Sequence, residues 1–341
     1  MRAISAVDSV SLAIQRTRDF LFRPFRWGTY LKLGLVAIIT EGIGGNSGTS
    51  AHGTQPSGHG PVVCPPFNLA PQWIAAIVAA VLLLIFVGII AFYLVTRLRF
   101  AFFHCLTRNT TEIRPGWRLY GAQAMRFFWL NLGVGFCFLL LLALVSIPFI
   151  AGFWRLFHEL PPGGQPGIGQ VLSLVLPMIP VILLLVVAAF LIDVVLRDWM
   201  LPHFALEDAS AGEAWVEVWE RIQAEPRQFL AYALLRLVLP LIASIALFAV
   251  LLIPGLMLAG TVGAIEYGIH SAFVDSTGAS ALAGILLEVF FGVIAFGFVM
   301  LASICLGGPV STGIREYALV FYGGRYPALG DLLNPPQQPP V

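Results

Sequence analysis

Residues 73 to 96 read WIAAIVAAVLLLIFVGIIAFYLVT, twenty-four consecutive residues without a formal charge. Such a run rises about 36 Å as a helix, enough to cross the ~30 Å hydrocarbon layer of a bilayer. In hydrocarbon the backbone polar groups must pair within the chain, so the run is expected to be a membrane-spanning α-helix.

The rest of the chain follows the same rule. Hydrophobic residues make up 58% of it and charged residues 11%, against roughly 25% charged in soluble domains. The sequence therefore predicts an all-α, polytopic helical membrane protein of about six spans, at 27–43, 73–96, 127–151, 170–195, 229–252 and 280–305. Together they form one membrane domain over 1–330, with a proline-rich tail at 331–341. The first span is short, and Trp27, Tyr30 and Lys32 are placed to anchor it at an interface. Pro148 is expected to kink or end the third span, and Pro177 and Pro180 to kink the fourth. Residues 44 to 72, rich in Gly, Ser, Thr and Pro and holding His52 and His59, read as a solvated loop. An outer loop is expected at about 259 to 279 and a polar tail after Cys305.

Between the spans lie charged, amphipathic connectors. The stretch 197 to 232 holds ten of the 37 charged residues. Ser210 and Glu213 form a capping box at the start of a helix over 210–225 that Pro226 stops. Trp215, Val218, Trp219 and Ile222 follow the i, i+3, i+4, i+7 pattern of one apolar face, a candidate surface for a partner or for lipid. Near the N-terminus, Ala3, Val7, Val10, Ile14 and Leu21 mark one face of a second amphipathic helix, either lying among lipid headgroups or packed on the other connectors.

Of the 19 cations, 16 fall on the N-terminal arm, the two inward connectors and the C-terminal segment, while Arg155 alone is assigned to the outside. By the positive-inside rule both termini are expected in the cytoplasm of a bacterial inner-membrane protein. No cleaved signal is expected at the N-terminus, and the four scattered cysteines suggest no disulfide framework. The order of elements also reads as a threefold parallel repeat of helical hairpins, at about 1–96, 97–196 and 197–305, in which Arg99 precedes Trp117 and Arg197 precedes Trp215 by the same 18 residues.

Ionisable groups inside spans are costly and need an explanation. Asp193 and Arg236 lie at similar depth, which predicts an ion pair. Glu288, in the outer half of the sixth span, has only Arg155 or His158 as conceivable basic partners and is expected to be a structural, neutral carboxyl. The chain lacks HExxH, GxxxxGK[ST] and GxGxxG, so no catalytic residue, cofactor or metal is assigned. His104 and His203 occupy comparable places after Arg99 and Arg197 and are read as structural residues.

Three segments carry a resemblance. RPFRWGTYLKLGLVAIITEG, RDWMLPHFALEDASAGEAWVEVWERIQAEPRQFLAYALL and YALVFYGGRYPALGDLL are similar to signatures of uncharacterised bacterial multi-pass proteins. Those proteins are related to the membrane domains found beside glycerophosphoryl diester phosphodiesterases. The resemblance implies a membrane domain without the barrel-shaped catalytic domain of the fused relatives, and so no hydrolytic residues. The expectation is a non-catalytic scaffold or accessory subunit whose partners are membrane lipids and other membrane subunits, not nucleic acid. A transporter or lipid-handling protein is the alternative, and a midplane cavity lined by Asp193, Arg236 and Glu288 would favour it. An intramembrane enzyme is third and would need a convergent cluster of His, Asp or Glu.

Overall fold

A computed structural model describes residues 4–42, 71–158, 166–273 and 278–333. The 44–72 loop with His52 and His59 lies mostly outside these residues, as does the proline-rich tail beyond residue 333. The described chain is helical, with α1 (Asp8–Phe22), α2 (Trp27–Gly42), α3 (Pro71–Arg108), α4 (Ile113–Leu119), α5 (Gly121–His158) and α6 (Ile168–Val194). A π-helical turn, Val195–Met200, leads into α7 (Leu201–Leu206), followed by α8 (Ala211–Ala224), α9 (Pro226–Phe273), α10 (Ala279–Gly323) and α11 (Pro327–Leu333).

Among the described residues, five helices are long and apolar enough to cross a membrane: α3, α5, α6 with its extension to Leu206, α9 and α10. Of the first expected span the structure describes the 16-residue α2, which rises about 24 Å. Instead of standing alone it crosses α10 at close range, where a Cβ on Gly308 would lie 2.7 Å from the Gly34 Cα. The Tyr30 hydroxyl donates to the Cys305 carbonyl beside that crossing.

The helices also run further than expected. α5 continues through Pro148 to His158, and α9 continues through Pro254 to Phe273, so most of the loop expected at 259–279 is helix. α10 carries on through Pro309 to Gly323, turning the first half of the expected tail into its final turns. A proline in hydrocarbon leaves carbonyls that neighbouring turns can accommodate, and apolar positions persist on both sides of each proline.

The core sits at one end of the molecule. Phe100, Phe103, Phe127, Phe204, Phe321 and Tyr232 are buried together there, near the C-terminal parts of α3 and α10 and around α7. By contrast, the most apolar eighteen residues of α3, α5, α9 and α10 include no buried residue. α5 lies along α6, and α9 along α10, and these two hairpins meet through the π turn and α7 at the polar end rather than along their apolar lengths.

α1 joins the chain's two ends. Its Arg16 binds Glu316 of α10 at 2.9 Å and donates to the Leu333 carbonyl of α11 at 3.0 Å. The side α1 buries is Ser9, Ala13, Thr17, Phe20 and Leu21, with Val7 and Ile14 exposed, so the expected face is rotated. Small residues face inward because α1 runs close to α10, where Thr17 meets Gly313.

Three buried arginines stand in comparable places along the chain. α4, α8 and α11 begin 14, 14 and 12 residues after Arg99, Arg197 and Arg315, and all three arginines are buried.

Candidate functional site

The ends of α2, α3, α6, α9 and α10 converge on a layer of buried charge. The described part of α2 runs to Gly42, and its Thr40 carbonyl faces the layer. A backbone carbonyl oxygen is a strong acceptor for charged donors. Two arginines answer it: Arg197 Nη2 donates to the Thr40 carbonyl at 2.6 Å and Arg99 Nε at 3.2 Å.

Carboxylates knit the layer together. Glu41 Oε2 lies 2.9 Å from Arg197 Nη2 and 2.9 Å from Arg236 Nη2. Asp198 is bound on both oxygens, with Arg315 Nη1 at 3.1 Å on Oδ1, and Arg236 Nε at 2.9 Å and the Tyr232 hydroxyl at 2.8 Å on Oδ2. Arg315 also donates to the Arg197 carbonyl at 2.8 Å. The π-helical turn makes this possible, since its widened turn lies at the centre of the packing and its residues 196 to 200 are all buried. Four arginines against Glu41, Asp193 and Asp198 leave one unmatched positive charge, which the Thr40 carbonyl faces.

The expected Asp193–Arg236 pair is not formed. Asp193 binds Arg197, four residues on, at 3.3 Å, and Arg236 takes Glu41 and Asp198. Sequence reasoning passed over Glu41, Asp198, Arg315 and Glu316 because each stands near a span end, where a charge needs no special partner. Their available signal was recurrence: an arginine, followed in two cases by an acid, closes each returning helix at 99, 197–198 and 315–316.

Glu288 has a different partner from those anticipated. His270 Nδ1 lies 3.3 Å from its carboxylate, and both side chains are partly exposed, in a shallow cleft shared with Glu266 and Tyr267. This cleft lies between the last part of α9 and the first part of α10 and includes neither Asp193 nor Arg236.

The predicted capping box is present, with Ser210 accepting from the Glu213 amide and Glu213 from the Ser210 amide. The predicted stripe on α8 divides. Val218 is fully buried and Ile222 partly so, whereas Trp215 and Trp219 are about half exposed and stacked on each other, with ring centroids 6.0 Å apart. Ala214 and Val218 supply the side that faces the core.

A second cluster lies between α7, α8 and the start of α11. His203, fully buried, points Nδ1 at Glu207 Oε2, 3.2 Å away, and at Glu217 Oε2, 3.3 Å away. Its Nε2 meets the Tyr322 hydroxyl at 2.7 Å. Arg221 reaches Glu217 at 3.0 Å and lies over the Tyr326 ring. Glu207, Glu217, Arg221 and Tyr326 border an open cleft of about 610 Å³. His104 is not part of it and packs instead on Tyr120. Among the described residues His203, Glu207 and Glu217 are the group whose donor atoms converge closely enough to hold a metal ion.

No curated protein and no solved structure matches the chain. A model of one family, described as a family of unknown function (DUF7544), matches residues 4–332. Covering both the buried charge layer and the α7–α8 cluster, that match shows that the chain belongs to this family of unknown function.

Proposed function

We propose that this protein is a non-catalytic scaffold or accessory subunit of a membrane complex, set in the bacterial inner membrane with its charged layer toward the cytoplasm. The observation that carries this reading is the contrast between the two ends of its helices. At one end, ionised side chains from five helices lock together and bury one another. Along the membrane-crossing lengths, the most apolar stretches of α3, α5, α9 and α10 bury nothing within the chain. A rigid base holding apolar helices with free flanks presents surfaces that other membrane helices can cover, without a hydrophobic penalty in lipid beforehand.

The distribution of cations supports the orientation, and the half-exposed Trp215 and Trp219 suit the headgroup region beside that base. The kinship read from the three sequence segments belongs to the same proposal. The transporter alternative receives less support, because Arg236 is held between two carboxylates and Asp193 is turned to Arg197 rather than to a midplane cavity.

Photo-crosslinking in native membranes tests the proposal. A photoreactive residue at Phe248 or Val293, both exposed in mid-helix, should capture the same membrane protein at both positions. Crosslinks to lipid alone, with a lone chain recovered after mild extraction, would overturn it.

A further inference from the structure

Glu207 and Glu217 approach one imidazole nitrogen from two different helices, α7's end and α8. Carboxylates drawn together in this way repel unless a positive charge sits between them. Arg221 provides one, at 3.0 Å from Glu217, and among the described residues the basic group paired with Glu207 is His203 itself. With Glu220 also bordering the cleft, three carboxylates face a single guanidinium, a formal balance of two negative charges.

The distances suit a small divalent ion. Zinc binds imidazole nitrogen and carboxylate oxygen at ~2.0–2.2 Å, which in a tetrahedron separates ligand atoms by roughly 3.3–3.6 Å. The Nδ1 to carboxylate separations are 3.2 and 3.3 Å. On the far side of the ring, the Tyr322 hydroxyl at Nε2 fixes the imidazole's orientation, the supporting role usual behind a metal-ligating histidine.

A separate observation points into the same place. Tyr326 is 2% exposed, packs at a tilt on His203 with ring centroids 4.3 Å apart and borders the cleft, its hydroxyl beside the Glu207 carboxylate.

We propose that His203, Glu207 and Glu217 form a divalent transition-metal site, best matched to Zn²⁺, at the junction of α7 and α8, with its open position facing the cleft under Tyr326. Arg221 competes for Glu217 when the ion is absent and turns outward when it binds. The ion clamps the acidic turn 207–210 to α8, and so stiffens the base of the scaffold.

Zn²⁺ itself, added to the chelator-stripped full-length protein in nanodiscs, is the probe. One tightly bound equivalent per chain and a rise in the unfolding temperature are expected. Glu207→Gln and Glu217→Gln, both at partly exposed side chains, should each weaken binding at least tenfold while leaving the metal-free unfolding temperature near that of the parent. His203→Gln should abolish binding, and Arg221→Gln should tighten it by removing the competing cation. Failure to bind Zn²⁺, or binding that the two glutamine variants leave unchanged, would overturn the site; a weaker complex in Arg221→Gln would overturn the role given to Arg221. None of these readouts depends on the scaffold's partner.

Discussion

The Arg197 guanidinium and the Glu41 carboxylate meet at 2.9 Å, each more than nine-tenths buried, although 156 residues separate them in the chain. Arg236 grips the same carboxylate oxygen. Buried charges of this sort contribute little net stability over an apolar replacement, but removing one partner strands the others in a low-dielectric interior. Glu41→Ala should therefore destabilise the protein by about 3–5 kcal/mol. Glu41→Gln, which keeps an acceptor oxygen but loses the charge, should fall between it and the parent in thermal unfolding in detergent.

Asp198 makes the converse case, since three donors converge on it and none has another carboxylate at hand except Arg236. Asp198→Asn leaves Arg315 without an ionised partner, and Arg315 already has an unpaired Nη2. The variant should lose the attachment of α10 to the π-helical turn first. Hydrogen exchange should rise over residues 310–322 before it rises over α5.

Much of this architecture is legible in the sequence. The long apolar helices follow from run length alone, and the α8 cap from Ser210 and Glu213, because both depend on local chemistry. The charge layer is not local. Glu41, Asp198, Arg236 and Arg315 come from four different helices, and nothing in the spacing of one reports the position of another. A period of 3.6 residues also cannot say which side of an amphipathic helix is crowded. On α1 close approach to α10 selects Ala13 and Thr17 over Val7 and Ile14, and on α8 the tryptophans are left at the edge while Val218 is enclosed.

Ser210 and Glu213 set the pH response of α8. Both hydrogen bonds from Ser210, backbone first and side chain second, hold the Glu213 carboxyl below its ordinary value of 4.5. A carboxyl depressed in the folded state stabilises fully above its unfolded pKa and loses that contribution as the pH falls through the folded value. Protection factors of the α8 amides, with the intrinsic pH dependence of exchange divided out, should accordingly fall below about pH 4.5 and stay level between pH 6 and 8. Ser210→Ala should cost about 1 kcal/mol at neutral pH and flatten the acid response.

Trp215 and Trp219 are stacked at the surface rather than buried, so their loss should affect surroundings more than folding. Replacing both with Ala should shift the unfolding temperature little. If they sit among headgroups, brominated lipids should quench the parent's tryptophan emission more strongly than that of the double variant. Equal quenching in the two proteins would place this pair away from the bilayer.

Gly34 and Gly308 face each other where α2 crosses α10, and the close approach depends on both lacking a side chain. A Cβ on Gly308 would meet the Gly34 backbone at 2.7 Å, and one on Gly34 would meet the Ile304 carbonyl at 3.2 Å. Backbone atoms cannot swing aside as a side-chain tip can, so the helices must separate to admit a methyl group. Overpacking of this kind costs about 1–3 kcal/mol. The consequences should spread, because α2 also carries Thr40 and Glu41 into the charge layer, and moving it withdraws the acceptors that hold Arg99, Arg197 and Arg236. Gly308→Ala should therefore lower the unfolding temperature and raise exchange around both α2 and the π-helical turn. Gly297→Ala, eleven residues earlier on the same helix and with open space at its Cβ position, should leave both unchanged. Equal effects from the two substitutions would mean that helix propensity, and not the crossing, governs the response at Gly308.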